Sequence, residues 1–347
     1  MKIILDETKS KPGLYPFTAI RHVADIRIGI LTLREKWAYP QRFKIQTEVA
    51  EETEIVLPAN IIATKNYMDK LANGTVGPTD ENVNLVNTDD MKTLHHPWQI
   101  FQFNNWALRK DFEMITAGRA SQPISSTNKI INSKNIFLEE GAVVEHSILN
   151  AAEGPIYIGK NAQVMEGCMI RGAFALCEGA VIKMGAKIYG ATTIGPYCTA
   201  AGEIKNSVMF GYSNKAHDGY LGDSVIGEWC NLGAGTTNSN VKNTAGDVKV
   251  WSNANNDYLN VGFRCGLMMG DYSRCAINTS FNTGTVVGVC CNIFSEHFPP
   301  KFVNDFTWGK ERYTFAKILQ DISNWKRLKG HVPTVQEQDI LKNLYTQ

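Results

Sequence analysis

Residues 158–194 read IGKNAQVMEGCMIRGAFALCEGAVIKMGAKIYGATTI, and aliphatic side chains stand at Ile158, Val164, Ile170, Leu176, Ile182, Ile188 and Ile194. Six successive spacings of six residues suit neither a 3.6-residue helix nor a simple alternating strand. They suit a hexapeptide repeat, in which each unit supplies one short strand and one turn and three units close a triangular coil. The spacing predicts a mainly β protein built on a left-handed parallel β-helix over about residues 130–296, with one aliphatic side chain pointing inward on every face. Glycine follows the same division: 22 of 29 glycines lie between Gly141 and Gly288. Those at Gly159, Gly172, Gly185, Gly190 and Gly195 suit tight corners.

The repeat loses phase after Ala200, over residues 206–219, and resumes with Ile226 and Leu232. It slips again over residues 241–260 and returns with Val261 and Leu267. Slips of this kind mark loops thrown out from one edge of a solenoid, where function tends to reside. The flanks differ in character. Residues 1–118 combine a strand at 2–5 with helix-like stretches at 23–37 and 104–115, as in a small α/β domain. The β-helix domain is expected over 119–297 and a helical extension over 298–347, where Phe315, Ile318, Leu319, Ile322 and Trp325 have helical spacing.

Composition removes several functions. Thirty-five basic against 34 acidic side chains leave a formal charge of +1, too little for a general nucleic-acid binder. No run approaches the ~18 apolar residues of a membrane span, and the start, MKIILDETKSK, turns polar too early for a signal peptide, so a cytoplasmic protein is expected. The eight cysteines, all between Cys168 and Cys291, form no CxxC pair or zinc-spaced cluster, and reduced, buried thiols are expected. No metal site is expected. The three histidines of the repeat region, His146, His217 and His297, are too far apart to build a carbonic-anhydrase-type zinc site.

The chemistry concentrates in AHDGYLGDSVIGEWCNLGAGTTNSN, residues 216–240. A histidine, Tyr-Leu-Gly-Asp, Ile-Gly, Asn-x-Gly-Ala-Gly-Thr and a further Asn together resemble the acetyltransferase domain of GlmU, a bifunctional family that acetylates glucosamine 1-phosphate and transfers a uridylyl group. The resemblance implies that His217 is the catalytic base. It implies that Tyr220, Asn231, Asn240, Lys205 and Lys187 bind an amino-sugar phosphate, Lys187 standing where the family has an arginine. It implies acetyl-CoA as acyl donor, with contacts at Ala234 and at Phe263, where the family has a serine. Lys249 and Trp251 read as a clamp for the adenine end of coenzyme A, or equally as an exposed loop without that role. A homotrimer is implied as well. An imidazole suits the role, because an amine attacking a thioester must lose a proton near neutral pH. Lys187 and Lys205 read equally as solvated surface charge, and Asn231 and Asn240 as corner asparagines.

The whole chain, with REKW, HPW, NKAHDG and NTGTVVG, is similar to GlmU-like proteins that pair a reduced nucleotidyltransferase-like region with this β-helix. Leu14-Tyr15-Pro16-Phe17-Thr18 keeps the tail of a nucleotidyltransferase loop. Lys9 and Lys11 replace its glycines, Gly13 replaces its arginine, and Pro12 removes an amide donor. Arg21, Arg27 and Lys36 are read as structural. A sugar-1-phosphate nucleotidyltransferase using Mg2+ and a nucleoside triphosphate is the alternative activity, and a non-catalytic β-helix assembly module is the third reading.

Overall fold

The computed structural model describes residues 2–39, 43–46, 55–76 and 88–347. The hexapeptide run closes into a left-handed parallel β-helix with three faces. Face A includes Ile156–Ile158, Phe174–Leu176 and Thr192–Ile194; face B includes Gln163–Val164, Val181–Ile182 and Thr199–Ala200; face C includes Met169–Arg171, Lys187–Tyr189 and Glu203–Lys205. Ile158 pairs with Leu176 and Leu176 with Ile194, each 18 residues on, so three six-residue units make one coil. All seven repeat aliphatics are at most 2% exposed and share one core.

The corners turn the chain from one face to the next within a few residues, and most draw on the left-handed backbone region. Between faces A and B, the later coils place Tyr197, Tyr212, Trp229 and Tyr272 there, with φ between 56° and 61°. Such bulky residues are unfavourable in that region. Stacking from coil to coil offsets the cost: ring centroids lie 5.1 Å apart for Tyr197–Tyr212 and 4.3 Å for Tyr212–Trp229. Corners are therefore filled by aromatics as well as by the small residues that the sequence pattern suggests.

The two slips have different causes. The first throws out no loop. Ile194 pairs with Met209, 15 residues on, and Met209 with Ile226, 17 residues on, so residues 206–219 form shortened coils that stay in the stack. The second is an excursion. Ile226 pairs with Met269, 43 residues on, and the inserted chain makes an antiparallel hairpin from Val248–Ser252 and Asp257–Gly262. Val261 belongs to this hairpin, while Leu267 rejoins face A.

The N-terminal unit is a parallel sheet, Lys44–Gln46, Lys2–Asp6 and Ile55–Pro58 in spatial order, with the helix Gln99–Thr116 lying against face A. Residues 23–37 are not one helix. Gly29, at φ 71°, turns a short hairpin, and the helix Leu33–Ala38 starts only where Thr32 and Glu35 form a capping box. Trp37, Ile100 and Leu108 share a core with Ala175, Val208, Val225 and Met268 of the β-helix. Arg21, Arg27 and Lys36 are all committed inside: Arg21 to Asp271 at 2.8 Å and Glu228 at 3.2 Å, Arg27 to the Ile30 carbonyl, and Lys36 to Asp111. At the other end, Ile318 and Ile322 of the helix Phe315–Leu328 are buried. A second helix, Val335–Thr346, follows; it buries only Leu341, which is why no apolar stripe announces it. Both pack against Trp229, Tyr272 and Phe306. All eight cysteines are buried and unpaired.

Ile188→Ala, which empties part of the core, is expected to cost about 2–5 kcal/mol in urea unfolding. Met184→Ala, at a corner position 67% exposed, should stay within about 0.5 kcal/mol. Equal effects would place the repeat aliphatics outside the coil.

Candidate active site

Face C carries the polar cluster. Its outward ladder positions run Lys187, Glu203, Tyr220 in one column and Tyr189, Lys205, Gly222 in the next, while Ile188, Ile204 and Leu221 point inward between them. Four sequence-predicted residues therefore meet: Lys187, Lys205 and Tyr220 on the face, and Asn240 above it, whose Nδ2 donates to the Tyr220 Oη at 3.1 Å. Among the described residues no hydrogen bond or ion pair engages the ammonium of Lys187 or Lys205. The Lys205 Nζ stands 5.7 Å from the centre of the Tyr189 ring. The Tyr189 phenol donates to Glu203 at 2.6 Å, and that bond pushes its pKa up to about 12.

Each residue of the Tyr-Leu-Gly-Asp motif has a distinct physical task. Tyr220 points out and Leu221 in. A Cβ at Gly222 would stand 2.2 Å from the Tyr220 Oη, so the missing side chain is the space in which the phenol lies. Asp223 makes the next corner at φ 47°, 3% exposed, and its carboxylate accepts from Asn206 Nδ2 at 2.7 Å and from Asn240 Nδ2. Burial, together with the nearby Asp223 charge, holds the Tyr220 phenol protonated well above the ordinary tyrosine range. Asp223, Asn206, Tyr189 and Glu203 are the members that sequence reasoning passes over. Asp223 stands inside the quoted motif, but only the fold shows that its carboxylate ties Asn206 and Asn240 together.

His217 lies on the corner that leads from face B into face C, three residues before Tyr220. Its side chain is exposed and, among the described residues, makes no hydrogen bond. Gly219 gives this corner its shape: φ is 123°, and a Cβ would meet the Thr236 carbonyl oxygen at 2.0 Å. Ala234 occupies the same corner one coil on, where the Gly235 amide donates to the Asp218 carbonyl at 3.2 Å. Asp218 is exposed, and no bond to His217 is present among the described residues.

The remaining candidates stand apart. Asn231 is on face B, paired with Asn214 and Arg274, so it is a strand residue and neither a corner asparagine nor a member of the face C cluster. Lys249 is exposed on the hairpin and Phe263 just past its end; the hairpin leans on face A, where the Lys301 Nζ donates to the Lys249 carbonyl at 3.0 Å and Trp251 stacks on Phe302 at 4.9 Å. Among the described residues no hydrogen bond, ion pair or ring contact joins either of them to His217 or Tyr220. No grouping of His, Cys, Asp and Glu among the described residues could hold a metal ion.

A family model described as sugar nucleotidyl transferase matches residues 3–51. A bifunctional protein GlmU from Methanocaldococcus jannaschii is 30% identical over 118 residues, covering 33% of this chain and 28% of its own length. A bifunctional sugar-1-phosphate nucleotidylyltransferase/acetyltransferase from Sulfurisphaera tokodaii is 27% identical over 242 residues, covering 66% of this chain and 54% of its own. The chain is similar to GlmU-type bifunctional proteins. It spans between about a quarter and a half of the length of these two GlmU-type relatives. The Arabidopsis UDP-N-acetylglucosamine acyltransferase structure aligns with 65% of this chain and 90% of its own at 11% identity, with a TM-score of 0.24.

Replacing Asp223 by Ala removes the acceptor of two amide groups and puts alanine into left-handed backbone. A loss of about 1–3 kcal/mol is expected in chemical denaturation. Tyr220→Phe, which leaves Asn240 bonded to Asp223, should cost less than about 1 kcal/mol. Equal losses would mean that the carboxylate does not tie this corner.

Proposed function

We propose that the protein is an acetyl-CoA-dependent N-acetyltransferase acting on a glucosamine-1-phosphate-like amino-sugar phosphate, in the synthesis of sugar-nucleotide or cell-envelope precursors. The observation that carries this reading is the placement of His217 on the corner that feeds face C, where two lysines without a hydrogen bond or ion pair among the described residues and the Tyr220–Asn240 pair are displayed. The names of the GlmU-type relatives support it.

In this scheme Lys187 and Lys205 hold the acceptor's phosphate, while Tyr220 and Asn240 present hydrogen-bonding groups to the sugar. The acceptor amine attacks the thioester carbonyl of acetyl-CoA. A C–N bond forms, the amine proton passes to the His217 imidazole, and the C–S bond breaks as the coenzyme leaves. Ala234, one coil from His217, is proposed to line the acyl donor's path, and Lys249 and Phe263 to meet the donor further along the hairpin. Asn231, on face B, can act only on a ligand that reaches round the corner or that belongs to a neighbouring subunit.

The second feature is a proposed homotrimer. Face C exposes Ile131, Ile148 and Met169, at 49%, 43% and 45%, in the coils directly below Lys187. Three such stripes meeting would bury apolar surface and bring the His217 corner to a subunit boundary. No helix among the described residues is long and apolar enough to cross a membrane, and a cytoplasmic location is part of the proposal.

Nucleotide transfer by residues 1–118, with Mg2+ and a nucleoside triphosphate, is the second reading, favoured by the family match over residues 3–51. The residues here support it poorly. Lys11 is paired with Glu7 at 2.6 Å, and Arg21 is spent on Asp271 and Glu228. A Cβ at Gly13 would lie 2.6 Å from the His95 carbonyl oxygen, so the loop already rests on its own domain.

His217→Ala should lower kcat for acetyl transfer roughly 10²–10⁴-fold with little change in KM. Lys205→Ala should instead raise KM for the phosphorylated acceptor through lost ground-state binding. Matched melting temperatures and light-scattering masses make the comparison valid. A folded, fully active His217→Ala protein would place the base elsewhere.

A further inference from the structure

The inside of face B is apolar with one exception. Its inward column runs Val164, Ile182, Ala200, Lys215, Leu232, Cys275. Lys215 is 2% exposed, as deeply enclosed as its neighbours. A buried ammonium carries a large desolvation cost, and a leucine or methionine would fill the same space without it. Burial brings the Lys215 pKa down to about 8, with Asp218 on the following corner and Cys275, two coils on in the same column, pulling the other way.

The ammonium has a specific partner. Its Nζ donates to the backbone carbonyl of His217 at 2.8 Å, reaching from the core to the inner side of the corner. Nothing outside holds that corner at this point, because the His217 side chain is exposed and makes no hydrogen bond among the described residues. The backbone therefore sets the direction in which the side chain leaves the corner, and with it the range the imidazole can reach. Among the described residues three bonds hold that backbone: Lys215 on the His217 carbonyl, the Gly235 amide on the Asp218 carbonyl, and the Glu203 amide on the Gly219 carbonyl at 3.1 Å; only the first grips His217 itself. Glycine at position 219 makes the corner possible but does not by itself restrain it.

We propose that Lys215 is a positioning residue: from inside the β-helix it holds the corner that aims His217 over face C. This deepens the acetyltransferase reading and rests on it for the role of His217. A corner whose His217 carbonyl is released would let the imidazole sample directions away from the acceptor amine, and misplacement of about 1 Å can cost on the order of 10²-fold in rate.

The test compares the full-length wild type with Lys215→Met, which keeps the length and fills the core, and uses His217→Ala as control. Lys215→Met is expected to melt at or above the wild-type temperature. Its kcat for acetyl transfer should fall roughly 10–100-fold with KM for the acceptor unchanged. Hydrogen exchange should accelerate in a peptide covering residues 216–219 and stay unchanged in the coils around Ile182. Lys215→Gln, which retains a donor, should recover part of the rate; it also serves as the test variant if Lys215→Met does not fold. A folded Lys215→Met protein with wild-type kcat and unchanged exchange overturns the proposal. If the wild type itself transfers no acetyl group, the reading of His217 as base fails separately, and the exchange measurement alone decides whether Lys215 tethers the corner.

Discussion

Every feature of this molecule answers to the match between one coil and the next. Strands of two or three residues are too short to be stable alone, so each depends on ladder bonds to the coils on either side. Those ladders form only if inward side chains coincide from coil to coil, as Ile158, Leu176 and Ile194 do. The chain can shorten a coil, as after Ala200, or leave the stack and return, as between Ile226 and Met269. In either case register is restored at the next strand. Function is confined to what this rule leaves free: outward positions on the faces, corners and one excursion.

The polar chemistry is an outcome of that rule. Alternation puts Lys187, Glu203 and Tyr220 on one outward column because Ile188, Ile204 and Leu221 must point in. The shortened coils bring the His217 corner directly beside them. Asp223, buried at the following corner, joins Asn206 of one coil to Asn240 of the inserted segment. The N-terminal unit plays a different part. It seals face A through a shared core, with the Asn104 Nδ2 donating to the Ala191 carbonyl at 2.8 Å and the Thr193 Oγ1 to the Gly29 carbonyl at 2.8 Å. Of its buried cations, Arg21 reaches across to Asp271 and Glu228, while Arg27 and Lys36 are bonded within the unit.

How much of each part is legible in the sequence follows from its physics. The coil is legible because a six-residue period is imposed on every turn and repeated many times. The first slip reads as a loop and is none, because lost phase looks the same whether residues are added or removed, and only pairing distinguishes a shortened coil from an excursion. Residues 23–37 read as helical from composition, whereas the left-handed backbone at Gly29 and the Thr32 cap divide them. In the candidate site, Lys187, Lys205, Tyr220 and Asn240 are named by the motif and brought together by the fold. Asn231 is named with them but faces elsewhere, since spacing along a motif does not reveal which face a residue occupies. Lys215 carries no signal, because a lysine two residues from a histidine gives no hint that it points into a core.

The central claim, that the His217 corner and face C form an acetyl-transfer site for an amino-sugar phosphate, is most directly tested by a substrate panel. The purified full chain would be given acetyl-CoA with amino-sugar 1-phosphates, the unphosphorylated amino sugars, and no acceptor, and the release of free coenzyme A thiol would be followed. The account predicts acceptor-dependent release that is fastest with a phosphorylated amino sugar and negligible without an acceptor. Equal release with and without acceptors, or none with any of them at millimolar concentration, would contradict it.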